Sequence, residues 1–374
     1  RNDDIFSSGL FTQVDEGSSG NAGNLTIETG KLPLRDGAQI STTARNASKG
    51  GELNINATDS VLVSGSAPNA TISSGRSGIF VSAEPSYTTR SGELVPTTGD
   101  SGNLLINTGK LTVEEGGTVT ADTFGTGKAG ELTLNVNELI IRNGGLVRTG
   151  SLVEEGAVTQ ERGAAGILRA NAAESVLVSG SGTVGDSQVN STLFTASEGT
   201  GNAGQIFVTT KKMDVRDGGE VTASSLGNNT GGEIEFNLNS LTLNNGKIST
   251  TTRSNTGGDI DLNIQDLLLL RNESKISTTA GDQQFGGDGG NININTPDGF
   301  IVAFPNENSD ITANAFEGNG GNVDITAFGI FGIEFRDELT GLSDITASSA
   351  RALDGNVNIE TPGIDPNPET VEIA

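Results

Sequence analysis

Two stretches, GNLTIETGKLPLRDGAQISTTA (Gly23–Ala44) and GNLLINTGKLTVEEGGTVTADT (Gly102–Thr123), have nearly the same sequence. Each begins with a glycine followed by alternating apolar residues, and each ends with an apolar residue followed by Ser or Thr. A unit repeated in the same order indicates that copies of one structural unit stack on each other. Aligning the chain on the glycine start gives eleven copies, at Gly23, Gly51, Gly102, Gly130, Gly166, Gly204, Gly232, Gly258, Gly290, Gly321 and Gly355.

Three short alternating stretches occur in each copy, and alternation over four or five residues is typical of β-strands. Turn-forming segments such as Arg35–Gly37 separate the second stretch from the third. An antiparallel sandwich gives no reason for one unit to recur, whereas a solenoid does. The sequence therefore predicts an all-β, right-handed parallel β-helix with three short strands per coil and about eleven coils. The residues predicted to point inward in stacked columns are Leu25, Ile27, Leu104, Ile106, Ile292 and Ile294.

The repeat continues through most of the chain, so a single rod over residues 1–361 is predicted, followed by a Pro-rich acidic tail over 362–374. The segment SGLFTQV (Ser8–Val14) matches the third strand of other coils, which predicts that the chain begins in the middle of a coil. Insertions interrupt the repeat near 66–78, 84–101, 152–165 and 181–191.

Composition narrows the classes of partner and cofactor. The net charge of −25 disfavours nucleic acid and anionic membranes, which attract clustered Lys and Arg. The longest apolar run is Leu267–Leu270, so no membrane insertion is expected. Because the chain has neither His nor Cys, transition-metal sites with nitrogen or sulfur ligands are excluded, and no cofactor is predicted. The lack of Cys also fits passage through an oxidising compartment.

Charged residues at equivalent corners of different coils are the candidates for catalysis. Parallel β-helices also house polysaccharide lyases and hydrolases, which use carboxylates with Ca²⁺ or a basic residue on one lateral face. Ser and Asn occupy the same corners elsewhere, which favours turn residues selected for backbone conformation. No cluster of Asp, Arg and Lys that breaks the repeat is evident, so no enzymatic activity is predicted. The corner residues are Arg35, Asp36, Glu114, Glu115, Arg216 and Asp217.

Other features suggest binding surfaces. GGDGGN (Gly286–Asn291) faintly resembles a Ca²⁺-binding nonapeptide, but it occurs once and is interpreted as a connecting loop. Tyr87, the only Tyr, marks the insertion 84–101 as a possible recognition loop. Near the C-terminus, aromatic residues predict either a cap with core packing or an interface, and the alternating end TVEIA predicts a lid on the rod or pairing with a second molecule. The possible interface residues are Phe328, Phe331, Phe335, Val371 and Ile373.

GNAGNLTIETGKL, RDGAQIS, ESVLVSGS and the block from SDITANAFEGNGGNVDITAFGIF to GNVNIETPGIDP resemble filamentous-haemagglutinin-type exoproteins common in cyanobacteria. The resemblance covers essentially the whole chain and is most specific at the C-terminal block. It implies a right-handed β-helix, export through a two-partner pathway with an outer-membrane secretion partner, and a role in adhesion or matrix. The end DPNPETVEIA departs from the Gly-Leu-containing ending usual in that family.

These observations predict a non-enzymatic structural adhesin or matrix protein, secreted or displayed at the cell surface. Expected partners are other copies of the chain, end to end or laterally, and cell-surface glycans. Two alternatives remain open at this point: a subunit of an extracellular filament, which is compatible with the adhesin, and a polysaccharide-active β-helix lyase or hydrolase.

Overall fold

The strands of the computed structural model form two large parallel sheets. It describes residues 8–14, 18, 20–71, 74–84, 87–88, 94–95, 97–153, 161–227, 229–253, 255–281 and 286–362. The long-strand sheet contains β2 (Leu25–Arg35), β4 (Leu53–Ser64), β8 (Leu104–Glu114), β10 (Leu132–Arg142), β12 (Ile167–Ser179), β16 (Gln205–Arg216), β18 (Glu233–Asn244), β20 (Ile260–Arg271), β22 (Ile292–Val302), β24 (Val323–Phe331) and β27 (Val357–Glu360). The short-strand sheet contains β1 (Gly9–Gln13), β3 (Gln39–Ala44), β5 (Gly78–Ala83), β9 (Thr118–Thr123), β11 (Leu146–Ser151), β15 (Thr192–Ser197), β17 (Glu220–Ser225), β19 (Lys247–Thr252), β21 (Lys275–Ala280), β23 (Asp310–Ala315), β26 (Asp344–Thr346) and β25 (Glu334–Phe335).

The fold is a parallel β-helix, and each of the eleven glycine starts leads into one strand of the 11-stranded sheet. The structure differs from the prediction in one respect: the first and second alternating stretches form one long strand. In β8, burial alternates through Leu104, Ile106 and Thr108, breaks at the pair Gly109 and Lys110, and resumes with a shifted phase. A long strand with an internal irregularity therefore replaces two of the three short strands.

The short-strand sheet is built from the third stretch of each coil. β1 pairs in parallel with β3, with Gly9 aligned to Gln39, so SGLFTQV does form the third strand of a coil. The same sheet continues strand by strand to β23 and β26. Along each strand, alternate side chains point into the rod, and the side chains between them point outward.

One continuous apolar cluster fills the rod from Leu34 to Ala347. Of the residues predicted to point inward, Leu104, Ile106, Ile292 and Ile294 are buried. Leu25 and Ile27 are only partly buried against this cluster. The reason is their position in β2, the first strand of its sheet, which pairs with β4 alone among the described strands.

At every coil start except Gly23, the starting glycine lies where two coils come too close for a side chain. A Cβ atom at Gly130 would lie 1.8 Å from the carbonyl oxygen of Gly102, and one at Gly258 would lie 1.8 Å from that of Gly232. Threonines of the short strands that point inward bind these start glycines. Thr149 Oγ1, for example, donates to the Gly130 carbonyl oxygen at 2.9 Å. Close packing of the coils therefore accounts for the glycine at the start of the repeat. The hydrogen bond to the carbonyl oxygen of that glycine accounts for the inward Thr in the third stretch.

Parts of the predicted insertions are among the described residues. In the first of them, Ser66 and Arg76 form an antiparallel bridge. The insertion 84–101 contains a short hairpin of β6 (Tyr87–Thr88) and β7 (Leu94–Val95), and 181–190 forms a hairpin of β13 (Ser181–Val184) and β14 (Ser187–Asn190). A 3-10 turn, Pro305–Glu307, follows β22.

Parts of the predicted insertions and the tail beyond residue 362 lie outside the described residues. Among the residues described, no helix has the length and apolar character needed to cross a membrane.

Candidate functional site: a groove on the short-strand sheet

The corner residues considered for catalysis follow the long strands. Asp36, Glu115 and Asp217 have φ angles of 53°, 52° and 54°, in the left-handed region, and each precedes a glycine with positive φ. Asn143 at the same corner has φ 51°. Asp and Asn tolerate this conformation better than most residues, and three of these four corners carry one of them, so the corners impose a backbone requirement on the sequence.

The side chains next to these corners are engaged with neighbouring coils. Arg35, Glu114 and Arg216 belong to one row of strand ends along the rod. Within or beside that row, Glu114 Oε2 accepts from Arg142 Nε at 2.6 Å, and Glu115 Oε2 accepts from Ser64 Oγ at 2.9 Å. The structure therefore places the corner residues in a ladder along the rod, with each of these two carboxylates bound to a neighbouring side chain.

The loop GGDGGN also packs against the next coil. Asp288 Oδ1 accepts a hydrogen bond from the backbone N–H of Asn319 at 2.8 Å. Over the described part of the chain, no three acidic side chains lie close enough together to hold a metal ion. The single Asp288 carboxylate serves as a contact between loops of adjacent coils.

The predicted C-terminal interface residues are on the surface. Phe328, Phe331 and Phe335 are 40%, 51% and 51% exposed. Phe300 contacts the first two, with its ring centroid 5.3 Å from that of Phe328 and 6.0 Å from that of Phe331. Val371 and Ile373 lie outside the described residues.

Tyr87, the predicted recognition residue, is in β6 and is aligned with Val95 of β7.

A groove of about 880 Å³ runs over the outward face of the short-strand sheet from β1 to β17. Its floor contains one row of outward positions that are aligned strand by strand along the rod. Phenylalanine occupies three positions of this row, and Arg148 lies between two of them. From β1 to β17 the row consists of Phe11, Ser41, Phe80, Thr120, Arg148, Phe194 and Thr222.

Two of these phenylalanines follow a glycine two residues earlier, as GLF (9–11) and GIF (78–80). A Cβ atom at Gly78 would lie 2.1 Å from Cζ and 2.2 Å from Cε2 of Phe80. The Phe80 ring therefore extends back along the sheet over Gly78 and occupies the space that a side chain there would need. Since strands are ~4.8 Å apart, Phe80 lies about 10 Å from Phe11 and about 14 Å from Phe194 along the row.

Two insertions form one wall of the groove, which we call the insertion wall: the loop 66–77 and the β13–β14 hairpin. A Cβ atom at Gly185, in the hairpin turn, would lie 2.7 Å from the carbonyl oxygen of Ala70, so the two insertions touch. The hairpin packs on the corner below it, where Val189 lies over Gly144. Insertions that are far apart in sequence therefore combine into one wall.

The opposite wall lies at the other ends of the same strands, and carboxylates are prominent in it. Glu198 accepts from the backbone N–H of Val153 at 2.8 Å, and Glu84 accepts from Ser82 Oγ at 3.0 Å. The side chains that line this wall are Arg45, Glu84, Phe124, Leu152, Val153 and Glu198.

A buried ion pair occupies the middle of the groove floor. Asp122, only 2% exposed, accepts two hydrogen bonds from Arg148, at 3.2 Å from Nε to Oδ1 and 2.7 Å from Nη2 to Oδ2. This bidentate geometry is the strong form of an Arg–carboxylate contact. Asp122 and Arg148 depart from the Ser and Thr pattern at this point, and this pair is not among the residues singled out from the sequence.

Arg76, in the insertion wall, is a third charged residue near Asp122 and Arg148. It is 7% exposed, and its Nε donates to the carbonyl oxygen of Gly116 at 2.5 Å. Burial, together with the neighbouring Arg148, lowers the pKa of Arg76 to about 10, so the guanidinium stays protonated at neutral pH. The positive charge of Arg76 is thus held at the edge of the groove floor.

Two signals in the sequence mark this groove, although sequence reasoning alone does not assemble it. Arg148 stands where other third stretches have Ser, Thr or Phe after the apolar residue, and GIF and TLF place Phe there. The strand register then brings these positions into one row. A search for outward residues that break the Ser/Thr ladder would have found Phe80, Arg148 and Phe194.

No protein-family profile, curated protein or solved structure matches the chain. The resemblance to filamentous-haemagglutinin-type exoproteins therefore stays a prediction.

Proposed function

We propose that the chain is a non-enzymatic rod, secreted or displayed at the cell surface, that binds an extended glycan along the groove. The observation that carries the proposal is the row of phenyl rings at Phe11, Phe80 and Phe194. Sugar rings present an apolar C–H face that stacks on an aromatic ring, and their hydroxyl groups take hydrogen bonds at the edges. A floor of rings flanked by Ser, Thr, Arg and carboxylate side chains offers both kinds of contact.

The direction of the row suggests how the ligand lies. The three phenylalanines are two and three strands apart, so the row runs along the rod and across the strands. One strand spacing, ~4.8 Å, is comparable to the rise of one sugar in an extended β-linked chain. A glycan parallel to the rod axis would place every second or third sugar on a ring.

A second depression of about 800 Å³ lies on the outer face of the long-strand sheet. Asn, Thr and aliphatic side chains line it, together with charged groups such as Lys211 and Asp298, and its described lining contains no aromatic ring. The groove on the short-strand sheet is therefore the better match for a sugar chain.

The arrangement of the groove carboxylates favours binding over cleavage. Hydrolysis of a glycosidic bond normally requires two carboxyl groups, one able to donate a proton and one free to act as base or nucleophile. Asp122 is held in a bidentate pair with Arg148, and Glu198 and Glu84 accept hydrogen bonds from the protein. These contacts support a role in positioning and recognition.

The test is a binding titration with neutral β-linked oligosaccharides, with product analysis on the same samples. Phe80→Ala and Phe194→Ala should each weaken binding by about tenfold, as expected for loss of one stacking contact. Phe207→Ala is the matched control, because Phe207 aligns with Arg169 on the long-strand sheet, with the Arg169 guanidinium carbon 4.3 Å from its ring centroid. Absence of binding to any glycan, or an equal effect of Phe207→Ala, would contradict the glycan site, and new reducing ends or unsaturated products would contradict the non-enzymatic role.

Surface display is the second part of the proposal and is supported by the resemblance and by the lack of cysteine in the chain. Export through an outer-membrane secretion partner would deliver the protein to the surface. Protease treatment of intact cells should remove the protein while a cytoplasmic marker survives. Protection of the protein in intact cells, with digestion after lysis, would contradict surface display.

Self-association is a further candidate function, favoured by the exposed cluster of Phe300, Phe328 and Phe331. Contiguous apolar surface of this kind commonly marks a protein interface. The proposed partner is a second copy of the chain, as required for a filament. Sedimentation of Phe328→Ser and Phe331→Ser variants beside the parent checks it, and a parent chain that stays monomeric at high concentration argues against it.

A further inference from the structure

We infer that the sugar bound at the centre of the groove carries a carboxylate and that Arg76 binds this carboxylate. The inference rests on the proposed function, because it names the class of glycan that the same groove takes. It follows from the burial, the contacts and the charge surroundings of Arg76, together with the position of the phenylalanine row.

Arg76 is a buried cation without a carboxylate partner among the described residues. Its Nε donates to the Gly116 carbonyl oxygen at 2.5 Å, and its Nη2 lies 3.5 Å from the Gly144 carbonyl oxygen. Carbonyl groups satisfy N–H donors but leave the positive charge uncompensated. A buried charge is normally paired, so an anion from outside the protein is the missing partner.

The positive charge of Arg76 lies at the groove. Its side chain lines the groove from the insertion wall, and it is close enough to Arg148 for the two like charges to repel. Arg148 is in the floor row, two strands from Phe80 (β5 to β9 to β11) and next to Phe194. A sugar carboxylate at Arg76 therefore belongs to a unit between these two rings.

The remaining charges limit how acidic the ligand can be. Asp122 already neutralises Arg148, and the other charged side chains that line the groove besides Arg76 are three carboxylates and one cation: Glu84, Glu198, Glu220 and Arg45. The whole chain carries a net charge of −25, which repels a densely charged polyanion. The groove is thus suited to a glycan with isolated carboxylates among neutral sugars, such as single uronic acids on a neutral backbone.

The experiment compares three probes of equal length: a neutral xylo-oligosaccharide carrying one glucuronic acid, the same compound with its carboxyl reduced to an alcohol, and an oligogalacturonate. The parent should bind the singly acidic probe about tenfold more tightly than the reduced one, as expected for a charge-assisted contact. The oligogalacturonate should bind more weakly than the singly acidic probe. Equal binding of the acidic and reduced probes, or tightest binding of the oligogalacturonate, overturns the inference.

Variants assign the preference to Arg76. Arg76→Gln should abolish the preference for the acidic probe, Arg76→Lys should retain part of it, and Arg216→Gln, at an exposed corner, should leave it unchanged. The comparison of probes on the parent stands even if Arg76→Gln does not fold, and Arg76→Lys keeps the charge in place. Retention of the full preference in a folded Arg76→Gln variant also overturns the inference. Failure of all three probes to bind would instead contradict the glycan-binding function itself.

Discussion

Across β5 to β15 the outward face of the short-strand sheet carries Phe80, Arg148 and Phe194, whereas across β19 to β23 the same row carries Ser249, Ser277 and Thr312. In the second region the row is a hydroxyl ladder, in which Thr312 Oγ1 donates to Ser277 Oγ at 2.8 Å. We call these the groove half and the regular half. The insertion wall borders only the groove half among the described residues.

The inward faces of the two halves are alike. Both have a large aliphatic residue at the first inward position of the short strand, as at Val119 and Ile276, and both bury it fully. The comparison teaches that the repeat builds the rod, and that binding chemistry is added where outward positions and corners depart from it. A solenoid tolerates such additions because outward side chains and corner loops contribute little to the stacked core.

The largest effect is expected in the shared core. Ile106→Asp in the groove half and Ile294→Asp in the regular half each place an unpaired carboxylate at a position that is 0% exposed. Each should lower the free energy of unfolding by well over ~4 kcal/mol. Thermal and denaturant unfolding measure it. Either variant unfolding like the parent would show that the two halves do not share one core.

The second largest effect is expected for alanine substitutions at the glycines that start the coils. Gly130→Ala and Gly258→Ala each force a Cβ atom to 1.8 Å from a carbonyl oxygen of the preceding coil, whereas a Cβ at Gly23 meets nothing within 4 Å. We expect a loss of about 3 kcal/mol for the first two, from the strain of overpacking, and almost none for Gly23→Ala. Denaturant midpoints of the three variants test this. A similar midpoint for all three would refute the close approach of coils.

A third test compares the stability contributed by outward side chains in the groove half and in the regular half. Arg148→Met leaves Asp122 buried and unpaired, with a side chain 3% exposed, and should cost ~3–5 kcal/mol. Ser277→Ala in the same row of the regular half should cost about 1 kcal/mol. Lys211→Met, which removes an exposed pair with Glu174, should change stability by less than ~1 kcal/mol. Equal losses for Arg148→Met and Lys211→Met would remove the energetic distinction of the groove floor.

The smallest effect is expected at the corners, which belong to both halves. Asp36→Gly and Asp217→Gly replace residues with φ of 53° and 54° by one that adopts this conformation freely. Glycine relieves the strain in the folded state but raises the conformational entropy of the unfolded chain, and these two effects oppose each other. The free energy of unfolding should therefore change by less than ~1 kcal/mol. Binding to the groove should not change. A large loss of binding in Asp217→Gly would return the corner residues to the list of functional candidates.

The short-strand row illustrates what could be foreseen. The alternation in GIFVSA and TLFTAS predicts strands, and strands are found there, with Ile79 and Leu193 buried. It does not reveal that Phe80 and Phe194 lie in one row with Arg148, because insertions between the strands hide the register. The partial burial of Leu25 was likewise not foreseen, since the pattern treats all coils alike, whereas β2 pairs with β4 alone among the described strands.

The sequence by itself determined the parallel β-helix, the eleven coils and most of the inward residues. The physical reason is that each coil repeats the same local pattern, so period-2 alternation, turn glycines and the glycine starts all encode one local solution. Tertiary structure alone decided the groove. Its floor joins residues from seven strands, its insertion wall joins 66–77 with 181–190, and its central pair joins Asp122 with Arg148. These contacts depend on which coil stacks on which and in what register, and that is a property of the folded rod.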